Sequence, residues 1–135
     1  MLLAGPDATV GAVRRSPRER ALLSAAKARL DRLDLYPEPV SLRRVRIRST
    51  PWLFRIPGFR RFHGYEAGPL ILVRRPLGEV SEDLVVHELT HVWQHQHRPL
   101  RMWLSYLTQG YRDNEHEVQA REAVRRTRAR GTMGA

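Results

Sequence analysis

The segment HELTH at residues 87–91 has the residue types and spacing of a metal-dependent hydrolytic centre. His91 follows His87 by four residues, so on a helix both imidazoles project from one face and can reach one ion. Glu88 lies about 100° further round the helix, where its carboxylate can take a proton from a metal-bound water. The segment therefore predicts a zinc site that activates water, with Glu88 as the general base.

A catalytic zinc ion needs three protein ligands and an open position, so a third ligand must come from elsewhere in the chain. His95 shares the histidine face but lies about 12 Å along the helix from His87, too far for one ion. His97 falls where the metzincin pattern H-E-x-x-H-x-x-G-x-x-H has its third histidine. Gln94 replaces the glycine of that pattern and no Met-turn follows, so His97 is kept only as an alternative.

Two glutamates near the end of the chain are the remaining candidates for the third ligand. At about 100° per residue, Glu117 shares the apolar stripe of Ala120 and Val124, whereas Glu115 points outward. Glu117 is therefore the predicted ligand and Glu115 its alternative. A structural role for Glu117 also stays open, because Asn114 can cap this helix and Glu117 would then complete a capping box.

The histidine segment is predicted to lie on a helix that follows a buried strand. Ser81 offers an N-cap, and the helix should run to about His97, because Pro99 disfavours helical geometry at Arg98. The four consecutive apolar residues 70–73 predict a short strand. The apolar back of the helix consists of Val85, Leu89, Val92 and Trp93.

An earlier helix is predicted to begin with Ser16 as N-cap, Pro17 at its first position and Glu19 completing a capping box. Its apolar stripe consists of Leu22, Leu23, Ala26, Leu30 and Leu33. The apolar residues Val45 and Ile47 alternate with arginines, as in a strand with one solvated face. We expect a hairpin or irregular loop over 50–68.

Two further helices are predicted, over 100–109, stopped by Gly110, and over 113–127. The chain of 135 residues suits one domain. We expect that domain over 16–128, between a flexible N-terminus at 1–15 and a basic tail at 129–135.

Composition limits the classes of function. The chain has no cysteine, which excludes disulfides and thiolate zinc sites and leaves His, Asp and Glu as the strong metal ligands. No apolar run approaches the roughly 20 residues that span a bilayer. The first residues lack the charge order and apolar core of a secretory signal, so a cytoplasmic protein without membrane contact is expected.

The net charge of +10 arises from 24 basic and 14 acidic residues, and all but one of the basic residues are arginine. Such an excess can attract nucleic acid through counterion release. The arginines of 43–61 and 121–130 are the candidates for phosphate contacts. No nucleic-acid-binding motif accompanies them, so nucleic acid is an alternative partner.

The segments LVVHELTHVWQHQH and NEHEVQAREA together resemble the small bacterial zincin-like metallopeptidase domains, over roughly residues 40–125. These domains carry a gluzincin-type H-E-x-x-H helix and a downstream glutamate on a second helix. The resemblance implies an α+β fold, with a small sheet packed on the active-site helix and flanking helices. It also implies zinc on His87, His91 and Glu117, with Glu88 as base.

The resemblance further implies that the strand in PLILVRR holds an extended peptide along its edge. One departure concerns Arg121, which stands four residues after the ligand glutamate, where thermolysin-like enzymes have an acidic residue. The histidines must then be oriented by another group. Tyr111, His116, Tyr106 or an arginine are candidates to stabilise the oxyanion.

The sequence therefore predicts a zinc-dependent peptidase that acts on proteins or peptides. One alternative is a non-catalytic binding module that keeps the zincin scaffold, which the small size of the chain favours. The other is a peptidase associated with nucleic acid through its arginines.

Overall fold

The computed structural model describes residues 14–99, 101, 107–109 and 114–128. Its chain forms a mixed α and β structure, which confirms the predicted α+β class. Two short 3-10 turns span Leu53–Arg55 and Leu77–Glu79. In chain order the helices and strands are α1 (Pro17–Leu30), β1 (Arg46–Ser49), β2 (Gly64–Ala67), β3 (Leu70–Val73), α2 (Glu82–His97) and α3 (Glu115–Thr127).

The three strands form one sheet in the order β1-β3-β2. β1 runs parallel to β3, with Ile47 opposite Ile71, and β2 runs antiparallel to β3, with Glu66 opposite Ile71. The strand of PLILVRR is thus paired on both sides, and the prediction that its edge holds a peptide is wrong. Its run of apolar residues is typical of a central strand.

Both neighbours of β3 are edge strands, and one of them, β2, lies within the stretch expected to be a hairpin or irregular loop. A tight turn at Gly68, whose φ is +65°, joins β2 to β3. Glycine adopts this left-handed conformation without steric penalty. The expected hairpin is therefore present, but its first strand begins only at Gly64, after most of the aromatic residues of the stretch 50–68.

Helix α1 begins as predicted at Ser16, whose hydroxyl accepts a hydrogen bond from the Glu19 N–H at 3.1 Å. The predicted apolar stripe is buried. The predicted capping box is wrong in its second half, because the Glu19 carboxylate turns towards β1. There it accepts hydrogen bonds from Ile47 N–H at 2.7 Å and Arg46 Nε at 3.1 Å, and so ties α1 to the sheet.

Helix α2 has the predicted cap and the predicted end. The Ser81 hydroxyl accepts from Leu84 N–H at 3.1 Å, and the helix ends at His97. Its predicted apolar back is fully buried in the core. The Trp93 indole also donates to the Glu38 carbonyl at 2.8 Å, which satisfies the polar end of this buried ring.

Helices α2 and α3 pack side by side and run antiparallel. Arg128 at the end of α3 contacts Asp83 at the start of α2, and Gln94 near the end of α2 contacts His116 at the start of α3. The small residues Ala120 and Ala123 are buried on α3, where they allow the two helices a close approach. This packing brings the first turn of α3 alongside the histidines of α2.

Several predictions fall largely or wholly on residues that the structure does not describe. They are the helix over 100–109, the stop at Gly110, most of the N-terminal segment and the basic tail. Among the described residues, no helix combines the length and the apolar character that crossing a bilayer requires.

Candidate metal centre

The structure brings the three predicted ligands together. His87 Nε2 lies 3.1 Å from Glu117 Oε1, and His91 Nε2 lies 2.8 Å from Glu117 Oε2. The three residues each offer one ligand atom, and these atoms lie within 4.8 Å of one another. Two imidazole nitrogens and a carboxylate oxygen are a donor set typical of catalytic zinc sites. The cluster could therefore hold a metal ion.

The cluster follows from local geometry on two helices. The four-residue spacing places the rings of His87 and His91 on one face of α2, with their centroids 4.9 Å apart. Glu117 lies in the first turn of α3. Asn114 caps this helix, and its side chain accepts a hydrogen bond from His116 N–H at 2.6 Å. Only 2% of Glu117 is exposed, so its carboxylate is held against the two imidazoles.

The alternative ligands lie elsewhere. His97 stacks on the ring of Tyr36 at 5.0 Å, because α2 continues without the turn that the metzincin glycine would give. Glu115 is exposed on the outer side of α3 and accepts a hydrogen bond from Arg101 Nε at 3.1 Å. His95, as expected from its distance along α2, is outside the cluster. The alternatives His97 and Glu115 are therefore wrong as third ligands.

The group that orients His91 is Gln94, which the sequence analysis considered only as a missing glycine. The Gln94 side-chain N–H donates to the His116 carbonyl at 2.9 Å, so its Oε1 faces the imidazole. His91 Nδ1 must then donate to that oxygen, at 2.8 Å, and Nε2 is left as the acceptor or ligand atom. Gln94 therefore fixes the orientation of the His91 ring.

The electrostatic balance at His91 favours a cation between the two helices. Burial lowers the pKa of His91, but the hydrogen bond and charge of Glu117, aided by Glu88, outweigh it and raise the pKa to about 9. A proton is thus strongly held between His91 and Glu117. A metal ion that takes this position must displace the proton, so its affinity should rise with pH.

The predicted base, Glu88, is also buried, with 5% of its surface exposed. Burial raises the pKa of its carboxyl; the charges of His91 and His87 oppose this effect and Glu117 adds to it. The close approach of β2 leaves little room for a side chain at position 64. A Cβ there would lie 3.3 Å from Glu88 Oε2 and 3.2 Å from Leu84 Cδ1.

A further carboxylate near the cluster, Glu66, was missed by the sequence analysis. It lies two residues after Gly64 and so shares the face of β2 that packs on α2. Burial raises its pKa to about 7; the charge of His91 opposes this and the charges of Glu88 and Glu117 add to it. Glu66 Oε2 is buried and has no hydrogen-bond partner among the described residues. Recognising β2 as a strand would have revealed it.

An open cleft of about 1210 Å³ leads to the cluster, and His87 and Glu88 form part of its wall. The predicted oxyanion candidate His116 does not line this cleft. Its side chain lines a separate small cavity with Tyr36 and Arg98, where burial lowers its pKa while Glu115 opposes that shift. Tyr111 and Tyr106 lie outside the described residues.

Comparisons of the chain with models of protein families, with curated proteins and with solved structures find no match. The class of this protein is therefore defined by its fold and its site. It is an α+β protein in which two helices bring together a His-His-Glu group that could hold a metal ion, with a buried carboxylate beside it and an open cleft in front.

Proposed function

We propose that this protein is a zinc-dependent peptidase with zinc on His87, His91 and Glu117. The observation that carries the proposal is the convergence of these three ligand groups beside a fourth, buried carboxylate, Glu88, in the wall of an open cleft. A bound zinc ion would supply Lewis acidity, lowering the pKa of a water far below its value in bulk solvent, towards about 7, and polarising a peptide carbonyl.

Glu88 is the proposed proton carrier. A general base works best when its pKa lies near the operating pH, and burial moves the pKa of Glu88 in that direction. The carboxylate takes the proton from the attacking water and returns it to the amine of the departing peptide. Gly64 is part of this arrangement, because it lets β2 cover Glu88 and keep it away from bulk water.

The edge strand β2 is the proposed guide for the substrate. Gly64 at its start lines the same cleft as Glu88. An extended peptide can add to an exposed strand edge through its main-chain hydrogen bonds, which gives affinity without demanding one side-chain sequence. β2 thus takes the role that the sequence analysis gave to the strand of PLILVRR.

The decisive test combines metal content with turnover. Protein purified without chelators should contain about one zinc ion per chain, and His87→Ala or His91→Ala should lose it. Glu88→Gln should keep the zinc and lose activity on an unfolded protein substrate by about 10² to 10⁴-fold. His97→Ala, which removes a histidine of α2 outside the cluster, is the matched control and should keep both.

Two outcomes would contradict the proposal. Absence of bound metal in the wild-type protein would remove the basis of the mechanism. Zinc binding with equal turnover in wild type and Glu88→Gln would instead support the alternative of a non-catalytic zinc-binding module.

A further inference from the structure

The cleft in front of the cluster collects arginines from two distant parts of the chain. One comes from the loop before β2, two come from α3, and one is the residue that caps the end of α3. They are Arg61, Arg121, Arg125 and Arg128. Arg61, from the arginine-rich segment at 43–61, and three arginines of the segment at 121–130 therefore meet at the cleft that reaches His87 and Glu88.

The acidic residues of the outer cleft cancel only part of this charge. Asp83 is paired with Arg128 at 3.0 Å and with Arg29, which approaches from α1, at 2.8 Å. Glu122 is paired with Arg125. Four arginines thus line the cleft against these two carboxylates, each of which pairs with one of the four, so a net positive charge remains and the concave surface concentrates its potential.

Among the four arginines, Arg121 is the nearest to Glu117 along the chain. It follows Glu117 by four residues, so it lies one helical turn further along the same face. It lines the cleft together with His87 and Glu88. A ligand that reaches the cluster through the cleft therefore passes a guanidinium group.

We propose that this cleft selects peptides with acidic side chains next to the bond that is cleaved, an inference that rests on the proposed peptidase function. Guanidinium groups bind carboxylates through paired, charge-assisted hydrogen bonds. Apolar side chains, including Phe62, Leu84 and Val118, lie between the arginines. Together with the edge of β2, this mixed lining suits a peptide chain better than a uniformly charged nucleic acid.

The test measures binding separately from turnover. The zinc-loaded Glu88→Gln protein is titrated with three fluorescent peptides of equal length, in which the residues around one central bond are glutamate, glutamine or lysine. The glutamate peptide should bind about tenfold more tightly than the glutamine peptide, and the lysine peptide most weakly, with the differences shrinking as salt rises.

Variants on α3 locate the preference. In the Glu88→Gln background, Arg121→Glu combined with Arg125→Glu should reverse the order of the three peptides. Arg126→Glu makes the charge change of one of these two substitutions, on an exposed residue of the same helix that does not line the cleft. It should keep the original order of the three peptides. Apart from a long-range charge effect that is the same for all three, each dissociation constant should stay within about twofold of its value without this substitution. Thermal unfolding checks that all variants are folded.

Equal affinity for the three peptides would overturn the inference, as would an equal loss of preference in the Arg126→Glu variant. Displacement of the glutamate peptide by a short DNA duplex at lower concentration than by unlabelled peptide would also overturn it, in favour of nucleic acid. The two proposals fail separately. Zinc-dependent turnover without a charge preference contradicts only this inference, whereas a charge preference in a protein without zinc contradicts the peptidase.

Discussion

The seam, the interface at which α2 packs on α3, has buried polar groups at both ends. Their charges are balanced at one end and not at the other. At the end that contains the start of α2, Arg29 from α1 is nearly buried and has a partner for each of its nitrogens. It donates to Thr127 Oγ1 and to the Val124 carbonyl, each at 3.1 Å, and pairs with Glu82 and Asp83 at 3.1 and 2.8 Å.

At the other end the charges do not match. Three carboxylates from three different elements, Glu66, Glu88 and Glu117, surround the two imidazoles of His87 and His91. Burial of a carboxylate is unfavourable unless a cation or hydrogen bonds compensate it. The Arg29 end supplies its own cation, whereas this end must take up protons or a metal ion. The comparison therefore separates a cluster that stabilises the fold from one that could hold a metal ion.

The largest effect is expected from breaking the balanced end. Arg29→Met should lower the free energy of unfolding of the metal-free protein by about 2 to 4 kcal/mol, because it leaves buried acceptors without donors and Glu82 without its cation. Urea denaturation at pH 7 measures this change. Lys27→Met, which breaks an exposed pair with Asp31 on the same helix, is the control and should change stability by less than about 0.5 kcal/mol.

If the two variants lost equal stability, the Arg29 network would be no more than a surface ion pair. The fraction of chains that bind zinc under native conditions should stay high in Arg29→Met, because its ligands lie at the opposite end of the seam. This contrast separates fold stability from metal binding.

A smaller effect is expected at the unbalanced end from Gln94→Met. Without the Gln94 oxygen, His91 Nδ1 loses the partner that fixes its tautomer and ring orientation. Zinc affinity should fall by about 10 to 100-fold, the usual consequence of removing a group that orients a ligand histidine. Competition with a chromogenic chelator measures it. Gln96→Met, which removes hydrogen bonds to the Ser41 backbone instead, should leave the affinity unchanged. Equal affinities in all three proteins would show that Gln94 does not orient His91.

The features that depend on one segment of chain were predictable from the sequence. The spacing of His87 and His91, the caps at Ser16 and Ser81 and the end of α2 follow from local rules of helix geometry. The inward position of Glu117 followed from helical phase on a second helix. That prediction succeeded because α3 is regular and its buried stripe is clear.

The features that depend on pairing between distant segments were not predictable. β2 has a glycine and an alanine in place of the β-branched residues that mark a strand, and its position comes from pairing with β3 and packing on Glu88. The order of strands in the sheet is likewise a non-local property, so the edge was assigned to the wrong strand. Glu66 and Gln94 were not predicted as part of the site, because the groups that they face lie on other elements or on the buried face of α2.

The smallest expected effect, and the sharpest test of the charge imbalance, comes from Glu66→Gln. Burial raises the pKa of Glu66 to about 7 from its ordinary 4.5. Between these values the unfolded chain loses the proton and the folded protein keeps it, so the free energy of unfolding falls as pH rises, and above pH 7 the loss is constant. Glu66→Gln removes this loss. It should therefore be more stable than wild type by about 1 to 2 kcal/mol at pH 8 and equal to it near pH 4.

The measurement is urea denaturation of metal-free protein across this pH range, with the exposed Glu79→Gln as a control that should show no such trend. Saturating zinc should reduce the advantage of Glu66→Gln at pH 8, because the charge of a nearby cation favours the ionised form of Glu66. An advantage that is independent of pH would mean that Glu66 is not part of the imbalance. An advantage that zinc leaves unchanged would mean that the cation does not bind close to Glu66, and the contrast between the two ends of the seam would then rest on Glu88 and Glu117 alone.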